Sequence, residues 1–136
     1  MKAFLAAAVL CAFALPASAQ TVKFQGQMSG AQEVPAKQSN GTGNATATLN
    51  GSTLEYTVEY TGLSGPATAA HFHGPADAGA NAGVVVPFAN AASPIHGTAT
   101  LNDQQKADLM AGKWYANIHT QQNPGGEIRG QMQKAP

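Results

Sequence analysis

Between Leu54 and Tyr60 the chain alternates without a fault: Leu54, Tyr56, Val58 and Tyr60 fall on one side, Glu55, Thr57 and Glu59 on the other. A strand turns successive side chains to opposite faces, so this pattern describes a strand with one buried face and no helix. The same period recurs along the chain. "TVKFQGQM" sets Val22, Phe24 and Met28 against Lys23, Gln25 and Gln27, and Ala45, Ala47 and Leu49 lead into Asn50-Gly51, a two-residue hairpin signal. "TAAHFHG", "VVVPF", "PIHGTATL", "KWYANIHT" and "GEIRGQMQ" follow, with turn residues between them. One helix is predicted in "NDQQKADLMAGK", with Asn102 as N-cap, Asp103 in the first turn, Gly112 as the stop, and Leu109 and Met110 docking on the core. About eight short strands and one short helix specify an all-β fold, an antiparallel β-sandwich or flattened barrel. Residues 30–43 read as its most loop-like stretch.

The first nineteen residues stand outside this pattern. Lys2, the apolar run "AFLAAAVLCAFAL" and the small residues Ala17-Ser18-Ala19 read as a secretory signal peptide cleaved after Ala19, with residues 20–136 as a single domain. The run is too short for a transmembrane helix. Export to the periplasm or the outside is the expectation. The only cysteine, Cys11, falls in the leader, so the exported domain has no disulfide, no thiolate nucleophile and no thiolate metal ligand. Removing Lys2 from the seven Lys+Arg leaves six against seven Asp+Glu. That balance gives no electrostatic footprint for nucleic acid or an anionic membrane.

The chemistry then rests on four histidines, and the alternation assigns each a face. In "TAAHFHG", Phe72 takes the core side, so His71 and His73 share the other, roughly 6.5–7 Å apart along the strand. In "KWYANIHT", Trp114, Ala116 and Ile118 face inward and His119 lies outward with Tyr115 and Asn117. His96 lies outward with Thr98 and Thr100. Two imidazoles at i and i+2 can meet one ion about 2.0 Å from each nitrogen, so His71, His73 and His119 form a candidate metal site, with His96 as a candidate fourth ligand. Backbone carbonyls, Asn117 or Glu127 are candidates to accept the rings' other N–H groups. The alternative is a set of solvated surface histidines. Glu127 and Arg129 sit two apart on one strand face and read as a surface ion pair, or Arg129 as a cation near an anionic site. Asp77 reads as a turn former, and no serine sits in a nucleophile elbow.

The segments "SGAQEVPA", "AAHFHGPA", "DLMAGKWY" and "NPGGEIRGQ" resemble the CHRD domain family, over nearly all of residues 20–136. The resemblance places His71, His73 and His119 at the family's histidine positions, His96 at a less typical one, and implies an extracellular role that in some members is protein binding. More loosely, the arrangement is similar to Cu,Zn superoxide dismutase. That likeness implies a Greek-key barrel with copper on its outer face, held by His71, His73 and His119. The loop from Gly74 to Pro94 carries no histidine, so the bridging ligand and zinc subsite of that enzyme have no counterpart, and its disulfide cysteines are missing.

Imidazole suits copper, zinc and nickel, and the affinity order favours Cu(II) over Zn(II) at a given site. The leading expectation is therefore an exported copper-binding protein for copper handling or tolerance, with zinc as the alternative ion and a periplasmic protein as a further candidate partner. Two other readings stay open: a non-enzymatic protein-binding module with incidental histidines, and a copper-dependent redox enzyme with Arg129 steering an anion.

Overall fold

The computed structural model describes residues 20–136, and the leader expected over residues 1–19 lies outside the described residues. Strands β1 (Thr21–Ser29), β2 (Thr42–Asn50), β3 (Thr53–Thr61), β4 (Ala67–His73), β5 (Val84–Pro87), β6 (Ile95–Thr100), β7 (Tyr115–Thr120), β8 (Ile128–Gln131) and β9 (Gln133–Lys134) form one antiparallel sheet. Its order is β5-β4-β7-β8-β1-β2-β3-β6, with β9 beside β1. The chain crosses between the two ends of this order on leaving β3, β5 and β6, and β8 returns beside β1, so the sheet curls into a flattened, nearly closed barrel. The all-β expectation holds. β9, a two-residue strand opposite Phe24 and Gln25, was below the length that alternation can signal. Among the described residues no helix is long and apolar enough to cross a membrane.

The inward faces follow the alternation. Leu54, Tyr56 and Val58 of β3, Ala45, Ala47 and Leu49 of β2, and Phe24 and Met28 of β1 are all buried in the core. On the other side Phe72 of β4, Trp114 just before β7, and Ala116 and Ile118 of β7 meet them. Phe72 packs at 5.3 Å against Tyr56, 4.9 Å against Phe88 and 5.8 Å against Trp114. Aromatic contacts of this kind contribute about 0.5–1.5 kcal/mol each beyond the area they bury. They pin β4 by its middle residue, and the pleat then turns His71 and His73 outward.

The β2–β3 hairpin differs from the expected turn by one residue. Asn50 pairs with Thr53, so the loop residues are Gly51 and Ser52. Only Gly51 has positive φ, at 61°, the pattern of a type II′ turn with glycine first rather than an Asn-Gly turn. Helix α1 (Asp103–Met110) starts as expected: Asn102 Oδ1 accepts from the Gln105 amide while Gln105 Oε1 accepts from the Asn102 amide, a reciprocal cap. Leu109 is buried, but Met110 is exposed. The helix docks by a single apolar residue, and the next one along has already rotated about 100° off that face.

Candidate metal centre

The outer face of β4, β7 and β8 is where the sequence-predicted ligands meet. β4 and β7 are hydrogen-bonded neighbours, with His71 opposite Asn117, His73 opposite Tyr115 and Ala69 opposite His119. His119 therefore lies diagonally across from His71. His71 Nδ1 and His119 Nε2 are 3.1 Å apart. The three rings are 4.9–6.0 Å apart between centroids, and one nitrogen from each lies within 4.8 Å of one from each of the others. Two nitrogens bound about 2.0–2.1 Å from one ion at 90–109° stand roughly 2.9–3.4 Å apart, so the His71–His119 pair already has ligand spacing.

His96 is not part of this group. It lies on β6 opposite Thr57, is exposed, and its Nδ1 is 3.0 Å from the Thr57 hydroxyl. β6 pairs with β3 and with neither β4 nor β7, and the candidate fourth ligand is not among the clustered histidines.

Backbone carbonyls orient two of the three rings. His73 Nδ1 is 3.0 Å from the Ala82 carbonyl and His119 Nδ1 is 2.9 Å from the Pro124 carbonyl. A carbonyl only accepts, so both rings carry their proton on Nδ1 and leave Nε2 with its lone pair. His73 Nε2 is buried and has no hydrogen-bond partner. Burial lowers the pKa of His71 and His73, and the neighbouring imidazoles lower both further. At His73 the Ala82 carbonyl opposes this, and the nearby Arg129 charge adds to it. Neutral rings with free Nε2 or Nδ1 lone pairs are the form that ligates metal.

The other two candidates for orienting the rings are engaged elsewhere. Asn117 donates to the Glu33 carboxylate and to the Ile128 carbonyl. Glu127 accepts from Ser39, Ser64 and Thr120.

The surface ion pair expected between Glu127 and Arg129 does not exist. Both residues are buried, but with different partners: Arg129 lies under Glu33, Ala80 and Asn81, and Glu127 is enclosed by Ser39, Ser64 and Thr120. Arg129 pairs with Glu33, with Nε and Nη2 3.2 and 3.1 Å from Glu33 Oε2. It also donates to the Ala80 carbonyl and Asn81 Oδ1, and its guanidinium lies 4.0 Å from the centre of the Tyr115 ring. A guanidinium so fully engaged does not steer anions. Glu33 was the functional neighbour that sequence reading missed. The signal for it was present: Tyr115, Asn117 and Arg129 alternate onto one outer face of two central strands, and an arginine there needs a covering carboxylate.

The covering loop at 121–126 depends on Gly126. Its φ is +123°, and a Cβ there would stand 2.6 Å from both Asn117 Nδ2 and Glu33 Oε1. Replacing it with alanine combines a left-handed backbone with overpacking against a hydrogen-bonded pair. Gly126→Ala is expected to cost about 2 kcal/mol, read as a lower urea midpoint with an unchanged slope.

No curated protein and no solved structure matches the chain at a significant level. The family model described as the CHRD domain matches residues 24–132, a span that contains all three clustered histidines, Glu33, Tyr115, Glu127 and Arg129. The chain belongs to the CHRD domain family.

Proposed function

We propose that the chain is an exported copper-binding protein that holds one ion through His71, His73 and His119, in copper handling or tolerance. The observation that carries this reading is His73 Nε2, a buried imidazole nitrogen with no hydrogen-bond partner, in a ring whose other nitrogen is fixed on a carbonyl. Leaving a buried polar atom unpaired costs about 1–3 kcal/mol, and a metal bond offsets that cost. His119 Nε2 is available by the same tautomer argument. His71 Nδ1, 3.1 Å away, shares the one proton between them until an ion takes its place. An all-nitrogen site of this kind favours Cu(II) over Zn(II), and with no thiolate in the exported domain nothing draws it toward softer chemistry. When bound, the ion supplies a Lewis-acidic and redox-active centre. The chain's own part is to fix two rings by carbonyls, favour the neutral form of His71 and His73, and shield His73 from water.

Copper titration of the purified protein tests the reading. One tight equivalent of Cu(II) is expected, outcompeting Zn(II), with affinity at least about 100-fold lower in His71→Ala, His73→Ala and His119→Ala, since each removes one of three ligands. His96→Ala is expected to bind as the wild type does. Absence of a tight equivalent in the wild type, or binding that survives all three substitutions, overturns the proposal.

A further inference from the structure

His73 does not stand alone on its strand. The Tyr115 ring is stacked on it, the two planes within 1° of parallel and the centroids 4.9 Å apart. The Tyr115 hydroxyl donates to the Ala82 carbonyl at 3.1 Å and accepts from the Ala82 amide at 3.0 Å. That same carbonyl takes the Nδ1 proton of His73 at 3.0 Å. Tyr115 thus touches the ligand ring by its face and grips, by its hydroxyl, the peptide that sets the ring's tautomer. Arg129 backs it from the ring face, 4.0 Å from the centroid, and binds the two preceding loop residues through the Ala80 carbonyl and Asn81 Oδ1. The loop is also held by Asn81 Nδ2 on the Val34 carbonyl and by the Gly74 amide on the Gly83 carbonyl, but the Ala82 peptide itself is bound by the side chains of Tyr115 and His73.

We propose that Tyr115 is a positioning residue for the metal centre, holding the Ala82 carbonyl and the His73 ring so that Nε2 is presented to the ion. The proposal rests on the copper reading above but concerns a residue that touches no metal. Imidazole ligands are commonly oriented through an outer hydrogen bond, and losing that partner costs 10–100-fold in affinity. Here the orienting acceptor is a loop carbonyl whose neighbours on either side are anchored. Tyr115 adds the direct hold on the Ala82 peptide itself.

Tyr115→Phe removes the hydroxyl and leaves the ring. Cu(II) affinity in this variant is expected to fall about tenfold, with an altered copper EPR signal and a metal-free melting temperature near that of the wild type. Tyr115→Leu, which also removes the stack, is expected to lose more, and if it does not fold Tyr115→Phe alone carries the test. In a His73→Ala background Tyr115→Phe is expected to have no further effect on copper affinity, an outcome that a general structural role would not give. Wild-type affinity and EPR signal in Tyr115→Phe, or an equal loss with and without His73, overturns the proposal.

If the wild type takes up no copper, the reading of the site fails and the positioning claim is decided on the metal-free protein. There, side-chain nitrogen shifts of His73 are expected to report a single Nδ1–H tautomer in the wild type and a mixture in Tyr115→Phe. Identical shifts in the two proteins overturn it.

Discussion

Arg129→Ala is expected to destabilise the protein by about 3–5 kcal/mol, the cost of leaving one partner of a buried ion pair without the other. Glu33 would keep only the Asn117 amide as a donor among its present partners, with its carboxylate still covered. At about 4 °C per kcal/mol for a domain of this size, the melting temperature should fall by more than about 10 °C. Burial already pushes the Glu33 carboxyl up, against the opposing pull of Arg129 and of hydrogen bonds from Asn117 and Arg129. Without Arg129 it should rise further, and protonation then relieves the unpaired charge. The deficit of Arg129→Ala relative to the wild type is therefore expected to be smaller at pH 5 than at pH 7. The double variant Glu33→Met with Arg129→Met, apolar and of similar length, is expected to be more stable than Arg129→Ala, because it removes both charges together. Thermal melts of the wild type, Glu33→Met, Arg129→Met and the double variant give the coupling energy directly. A double variant no better than the single one would show that the pair acts through the loop contacts of Arg129 to Ala80 and Asn81 rather than through charge.

The period-two pattern was enough to reach the barrel and the outward direction of His71, His73 and His119, because each strand has a core face of large apolar residues that fixes the parity of its neighbours. Phe72 decides the parity of β4, and Trp114, Ala116 and Ile118 that of β7. Adjacency of those two strands was not readable from parity. It arises because β4 and β7 are brought together by crossovers of the chain through β5, β6 and α1, and such long-range pairing leaves no local trace. His96 shows the same limit from the other side: its parity was right, and its strand pairs with β3 instead.

What parity could not show at all was that the outward face is covered. Glu33, Tyr115, Asn117 and Arg129 are buried together on the side of the sheet away from the apolar core, so the molecule has a second, polar interior. A reading that equates outward with solvated assigns Glu127 and Arg129 to the surface. An arginine beside a central tyrosine and asparagine is better read as part of a packed polar layer, since a long charged side chain on a central strand needs a covering carboxylate, here Glu33. Each ring-fixing carbonyl comes from a covering loop: Ala82 from the one held by Arg129 and Tyr115, Pro124 from the one that Gly126 allows to settle on Asn117. Rigidity of the histidine cluster is thus a property of the covering loops, while the apolar core only decides which way the histidines face.

Glu127, at a separate polar site, makes the domain responsive to acid. Its carboxylate accepts from Ser39 Oγ at 2.8 Å, the Ser64 amide at 2.8 Å, Ser64 Oγ at 2.5 Å and Thr120 Oγ1 at 2.6 Å. Burial alone would raise its pKa, but the Ser64, Thr120 and Ser39 hydroxyls and the Ser64 amide outweigh it and hold the group down to about 2, against an ordinary 4.5. At 1.36 kcal/mol per pKa unit that difference is worth about 3 kcal/mol. Because the folded value is the lower one, this stability is fully present above pH 4.5 and is lost as pH falls from 4.5 toward 2. His71 and His73, also lowered on folding, lose their contribution in a separate and higher window that opens below 6.5. Urea midpoints of the metal-free protein are therefore expected to decline in two stages as pH is lowered, with Glu33, raised on folding, opposing the upper stage as pH approaches 4.5. Glu127→Gln should remove the lower stage and leave the upper one. The amide group cannot accept from all four donors while its own NH2 is directed at them, so the variant is also expected to be less stable at pH 7 by about 3 kcal/mol, and hardly less stable at pH 2. A wild-type-like acid slope between pH 4.5 and 2 in Glu127→Gln would mean that other carboxylates carry the acid sensitivity, and that the four donors around Glu127 are satisfied as well by an amide as by a charge.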